Sequence, residues 1–176
     1  TLKKFNVFSI KYYLCNGVVK GIYKDDNPMY AYKVYDNFKI YRPLADKFTK
    51  WRNNLTTYDI QGYEQLPLSG DLLIITKSLK DVMCFHEMGI PAISPSSEST
   101  FIPNNVLEQL KKHFKRIIVM FDRDATGTKY LRKISLKTSL EPLLVHKKFN
   151  AKDISDAIAN TSFLRVKNWI YKTLKL

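Results

Sequence analysis

Two hydrophobic patterns divide the chain. Up to residue 70, apolar and polar positions alternate in short strings such as YAYKVYD and NFKIYRP. A period of two predicts half-covered strands, one face packed and the other wet. Asn16-Gly17 falls between two such strings and predicts a hairpin of strands over 11–14 and 18–23. Asp36-Asn37 predicts a second hairpin turn, and a helix is expected near the start. The stretch IQGYEQLPLSG carries neither period and reads as a connector. From residue 71 onward the apolar runs become continuous. Residues 72–75, 91–93 and 117–121 have the composition of strands buried on both faces, and LLVH at 143–146 makes a fourth. Helical stretches separate them, one of which starts with Ser78 as N-cap and stops at Gly89. Strand–helix–strand repetition makes parallel crossovers the natural connection. The predicted class is therefore α/β. A four-stranded, mostly parallel sheet flanked by helices spans residues 71–176, and a small, mainly antiparallel α+β subdomain spans residues 1–70.

In such sheets ligands bind outside the carboxyl ends of the strands. Four polar groups fall there: Thr76-Lys77-Ser78 with Asp81, Ser96-Ser97-Glu98, Asp122-Arg123-Asp124, and Lys152-Asp153 with Asp156. Asp122 and Asp124, two apart beyond a buried strand, can turn into one cleft. Such a pair suits Mg²⁺ (or Mn²⁺), which keeps several waters and takes one or two carboxylates. Asp124 equally suits an N-cap of the helix that Gly127 allows to pack closely. Asp81 lies in the first turn of its helix, where its charge complements the dipole. Asp153 suits a cap of the last predicted helix. Lys77, at the strand end, is placed to meet an anion.

Charge adds a partner to this picture. Lys and Arg number 29 against 16 Asp and Glu, a formal charge of +13 that favours a polyanion. In KIYRPLADKFTKWRNN, Lys39, Arg42, Lys47, Lys50 and Arg52 are interleaved with Tyr41, Phe48 and Trp51. Cations can contact phosphates while rings stack on bases; the same rings also suit the core of a small subdomain. Cys15 and Cys84 stand alone without paired spacing, which excludes a zinc ribbon or disulfide framework and fits a reducing setting. No apolar run reaches membrane-spanning length, so no membrane partner is expected. The chain begins at Thr1 and reads as a piece of a longer protein.

These motifs resemble the TOPRIM domain of DNA primases, above all the primase half of phage primase–helicases and Twinkle-like proteins. The family pattern is E-G-x-x-D after one strand and D-x-D-x-x-G after another. KSLKD at 77–81 and DRDATG at 122–127 stand in those places. Lys39-Ile40-Tyr41-Arg42 with Lys47-Phe48, the connector, and Lys152-Asp153 follow in the family's order. The resemblance implies metal-dependent nucleotidyl transfer that makes short RNA primers on a single-stranded DNA template. It implies catalytic roles for Lys77, Asp81, Asp122 and Asp124, and Mg²⁺ or Mn²⁺ held by Asp122, Asp124 and Glu98. Nucleoside triphosphates would meet Lys77, Ser78, Arg123, Lys152 and Asp153, and DNA would meet Lys39, Arg42, Lys47, Lys50, Trp51 and Arg52. A replicative helicase and a zinc-binding template-recognition module are expected on the same or a separate chain. The expected location is cytoplasmic, that of the host cell if the chain is phage-encoded.

One position departs from the pattern. The motif's Glu is Lys77 here, and the Gly after it is Ser78. A protonated lysine does not ligate metal, and a +1 charge about 4 Å from a +2 ion is repelled by roughly 8 kcal/mol at an effective dielectric near ~20. Lys77 is therefore expected to turn away, bind a phosphate or take a metal's place, with Glu98 restoring part of the lost negative charge. The alternative is a catalytically degenerate module of the same fold that holds single-stranded DNA or a replication partner.

Overall fold

Alternation in the first segment does produce antiparallel pairing. The strands are β1 (Val7–Ser9), β2 (Tyr12–Cys15), β3 (Val18–Ile22), β4 (Tyr30–Val34), β5 (Asn37–Tyr41) and β6 (Trp51–Asn53). They form a sheet in the order β1-β4-β5-β6 and a separate β2-β3 hairpin. The computed structural model describes every residue except Tyr23, Asp25, Glu98 and Ser99. Asn16 and Gly17 take φ of 51° and 75°, the two left-handed residues that a tight hairpin turn requires. The second turn is Tyr35-Asp36, one residue earlier than expected, because Val34 pairs with Asn37 and Tyr35 itself takes φ 51°. Near the start there is a single 3-10 turn, Lys3–Phe5, whose Phe5 joins a core with Val7, Met29, Ala31, Tyr32, Val34 and Ile40.

The continuous runs become a parallel sheet. Its strands are β7 (Gly70–Ile75), β8 (Ala92–Ile93), β9 (Phe114–Phe121) and β10 (Glu141–Leu144), in the order β10-β9-β7-β8, all parallel. Helices α1 (Leu79–Glu87), α2 (Asn104–His113), α3 (Ala125–Thr138), α4 (Ile154–Asn160) and α5 (Phe163–Leu174) complete it. Leu73, Ile75, Ile117, Val119 and Phe121 pack in one cluster with Leu107 and Leu110 of α2 and Leu131 and Ile134 of α3. The intervening Leu72, Ile74, Ile118 and Met120 are buried as well. Both faces of the central strands are thus covered, which is why their sequence shows no alternation.

The chain divides into two compact units, Thr1–Asp59 and Ile60–Leu176. Asp59 closes the first, its Oδ2 accepting from Asn37 Nδ2 at 3.1 Å and from the Thr56 N–H at 2.6 Å. The connector belongs to the second unit. Ile60 packs with Leu73 and Ile75. Gln61 exchanges two 2.9 Å backbone hydrogen bonds with Ser94, and its Nε2 donates to the Pro95 carbonyl at 2.7 Å. A single bridge followed by one 3-10 turn, Tyr63–Gln65, leaves no period to read.

Candidate functional site

Three strand-to-helix transitions meet the carboxyl edge of the parallel sheet, and each opens its helix with a side-chain cap. Ser78 Oγ accepts from the Asp81 N–H at 3.3 Å and starts α1. Asp124 accepts from the Gly127 N–H at 2.6 Å and starts α3. Asp153 accepts from the Asp156 N–H at 2.7 Å and the Ser155 hydroxyl at 2.9 Å, and starts α4. Helices need such acceptors because their first N–H groups have no partner within the helix.

Cross-contacts join the transitions. Lys77 Nζ lies 2.7 Å from Asp122 Oδ2. Asp81 accepts the Ser78 hydroxyl at 2.8 Å and the Ser155 N–H at 3.0 Å, tying α1 to α4. The Arg123 N–H donates to the Lys152 carbonyl at 2.8 Å, and Arg123 Nε donates to the Val145 carbonyl. That guanidinium nitrogen is thus committed to holding β9 against the segment after β10. Lys152 is exposed. Gly127 is needed for close approach: a Cβ there would stand 2.4 Å from the Asp122 carbonyl oxygen.

Burial sets the electrostatics. Asp122 is 4% exposed, and desolvation pushes its carboxyl above the ordinary range while the Lys77 ammonium opposes that push. Asp81 is 1% exposed; burial first, then the Asp153 charge, lift it to about 7, with the Ser78 hydroxyl and Ser155 N–H pulling the other way.

These residues do not fit a divalent ion as they stand. The Asp122 carboxylate holds an ammonium, and the carboxylates of Asp124 and Asp153 each hold a helix N–H. Among the described residues, no three His, Cys, Asp or Glu side chains gather to share an ion. Glu98, expected to contribute to the metal site, lies outside the described residues.

In the first unit, the basic segment is split between two faces by strand alternation. Tyr41 pairs with Trp51 and Lys39 with Asn53, while Ile40 pairs with Arg52. On one face the Tyr41 and Trp51 rings stack at 4.2 Å, and Tyr32 meets each at about 6 Å. Lys39 Nζ lies 4.9 Å from the Trp51 centroid and Lys50 Nζ 6.0 Å from that of Tyr41. On the other face, Arg42 and Arg52 line a cavity of about 860 Å³ with Phe38, Ile40, Tyr12 and Tyr13. Arg42 Nε is buried there without a hydrogen-bond partner. Arg52 donates to the carbonyls of Phe48 and Trp51 at 2.8 and 3.0 Å. Lys47 is exposed, as is Phe48 at 84%. Sequence reading missed Tyr32, whose place beside Lys39 follows from the β4–β5 register. It also missed Tyr12, Tyr13 and Phe38 as neighbours of Arg42.

Residues 74–158 match the family described as Toprim-like, a span that contains every rim contact above. The chain carries a Toprim-like domain. No curated protein sequence matches it. Among solved structures, the primase fragment of the bacteriophage T7 primase–helicase superposes with a TM-score of 0.64 at 16% identity, over 94% of this chain and 66% of that one. The primase domains in the T7 lagging-strand polymerase complex, bound to an RNA/DNA hybrid and dTTP, give 0.60 at 16%, over 96% and 84%. The E. coli primase catalytic core gives 0.59 at 14%, over 98% and 66%. The chain thus spans about two thirds of the isolated T7 and E. coli fragments. At these identities the likeness establishes the fold: a Toprim-like domain preceded by an antiparallel unit, as in primase catalytic cores.

Proposed function

We propose that this chain is the core of a phage-type DNA primase, which joins nucleoside triphosphates into short RNA primers on single-stranded DNA. The observation that carries this reading is the extent of the fold match. It runs through the antiparallel unit as well as the Toprim-like domain, covering 94% of the chain against the T7 fragment. That favours a primase over a nuclease or strand-passage enzyme with the same domain. In this reading the triphosphate meets Lys77 and Lys152 at the rim, with Ser78 and Asp153 opening the helices beside it. The template lies over the Tyr41–Trp51 face, where Lys39 and Lys50 meet phosphates and the rings stack on bases. Lys47, Arg42 and Arg52 extend the positive field. Asp81 holds α4 in place through Ser155 rather than touching the ligand. Mg²⁺ or Mn²⁺, as primases use, would supply charge for phosphoryl transfer; the rim does not fit such an ion while Lys77 holds Asp122, so no step is assigned to it. A helicase and a zinc-binding template-reading module complete the proposed machine, on this chain's parent or on separate chains.

The Lys77–Asp122 pair favours a second reading, in which the same module binds DNA and nucleotide but performs no synthesis. Primer synthesis on a mixed single-stranded template library, with Mg²⁺ or Mn²⁺ and a zinc module supplied, separates the two. Incorporation of labelled nucleotide supports the primase. Tight DNA binding with no incorporation under any condition supports the silent module.

A further inference from the structure

The rim carries a cation of its own. Parallel pairing of β7 with β9, with Ile75 opposite Val119, brings Lys77 and Asp122 together across the sheet edge. The Asp122 side chain is 6% exposed and that of Lys77 20%. A carboxylate covered to this degree requires a counter-charge, and Lys77 supplies it. A divalent ion on the same carboxylate would stand about 4 Å from the ammonium and be repelled by roughly 8 kcal/mol at an effective dielectric near ~20. Ammonium and metal are therefore alternatives at Asp122, not neighbours. The surrounding contacts hold the pair in place. Gly127 packs against the Asp122 backbone, Arg123 is hydrogen-bonded to Lys152 and Val145, and the Ser78 cap fixes where β7 ends. An ammonium has three donors, one of which goes to Asp122, and its partial exposure leaves a path from solvent. The N-termini of α1 and α3 open on the same edge and add the positive ends of their dipoles.

We propose that Lys77 is a resident cation that replaces a divalent ion at Asp122 and makes the rim a metal-independent site for phosphate groups. The nature of the natural ligand, a nucleoside triphosphate, rests on the function proposed above; the replacement of the ion does not.

Three probes test this: Mn²⁺ alone, followed by electron paramagnetic resonance; inorganic pyrophosphate in EDTA; and ATP in EDTA or in Mg²⁺. Wild type is expected to show no Mn²⁺ binding that depends on Asp122, so that Asp122→Asn changes nothing. Lys77→Glu is expected to bind one Mn²⁺ about tenfold tighter or more, with the cationic repulsion gone, and to lose it again when Asp122→Asn is added. Wild type is expected to bind pyrophosphate and ATP in EDTA. Lys77→Met should weaken both about tenfold or more, the usual cost of a lost charged hydrogen bond. Because Lys77→Met leaves a buried carboxylate unpaired, the double variant Lys77→Met with Asp122→Asn guards against misfolding and should lose pyrophosphate equally. Mn²⁺ binding by wild type that falls in Asp122→Asn overturns the proposal. So does ATP binding that requires Mg²⁺, an outcome that leaves the nucleotide reading intact. Pyrophosphate binding in EDTA without ATP binding in either buffer upholds the proposal and sinks the nucleotide reading instead.

Discussion

Positive charge is held in opposite ways in the two units. In the Toprim-like domain, Lys77 is four-fifths covered and locked to one carboxylate at 2.7 Å. In the first unit, Lys39 and Lys50 rest over the Trp51 and Tyr41 rings at 4.9 and 6.0 Å, and Lys47 stands in solvent. A fixed, buried charge decides which sign of ligand its site accepts. A loose array beside aromatic faces adds affinity for any polyanion in small increments. The rim should therefore fail at a single substitution, whereas the array should degrade by degrees.

The largest expected effect is on the locked side. Lys77→Met strands the Asp122 carboxylate in a covered position, and breaking a buried pair from one side costs about 3–5 kcal/mol. Urea unfolding should show that loss. Asp122→Asn should cost less, because Lys77 keeps a fifth of its surface in solvent. Two equal and small losses would show that the rim charge is no more locked than the array.

Next comes the backbone that holds the rim rigid. In Gly127→Ala the new Cβ meets the Asp122 carbonyl, and α3 must shift; overpacking of this kind costs about 1–3 kcal/mol. Gly17→Ala in the first-unit hairpin has open space around it, and only its φ of 75° opposes the change, so about 1 kcal/mol is expected. Thermal unfolding of the two variants compares crowding with backbone strain. If Gly127→Ala were the milder, the rim would be more pliant than its contacts suggest.

Much of this contrast was visible in the sequence, and the missing part has a common cause. The continuous runs at 72–75 and 117–121 reveal central strands because both their faces are covered. Ser78, Asp124 and Asp153 are legible as caps because capping acts within three residues. The Lys77–Asp122 pair spans 45 residues and exists only through the β7–β9 register. The basic segment reads as one track in one dimension. Only the pairing of Ile40 with Arg52, and of Tyr41 with Trp51, shows that its cations lie on two faces. Gln61 is buried through a lone bridge to Ser94, and a lone bridge has no period.

The pH dependence of stability sharpens the rim further. Asp81, lifted to about 7 chiefly by burial, binds its proton more tightly folded than unfolded. Its stabilising contribution is complete below the ordinary carboxylate range near pH ~4 and is lost as pH rises through about 7. Asp81→Asn keeps an acceptor for the Ser155 N–H and removes the titration. The variant should match wild type at acid pH and exceed it by about 2 kcal/mol at pH ~8, as expected for a buried carboxyl no longer forced to ionise. Parallel stability curves for the two proteins across that range would mean that water reaches Asp81 and its burial carries no electrostatic cost.

The smallest effects belong to the loose array. Each cation that meets a phosphate of single-stranded DNA contributes about 0.7 to the slope of log affinity against log salt. Lys50→Ala and Lys39→Ala should each flatten that slope by about this amount and weaken binding at low salt only modestly. Trp51→Ala should leave the slope alone while lowering affinity at every salt concentration, because stacking is not a counterion effect. Arg42→Ala tests the opposite face: an unchanged slope would confine the template to the Tyr41–Trp51 side, and a flatter one would bring DNA to the cavity between Tyr12, Phe38 and Arg42. If single substitutions at Lys39 and Lys50 abolished binding outright, the array would be a locked site like the rim, and the contrast between the two units would collapse.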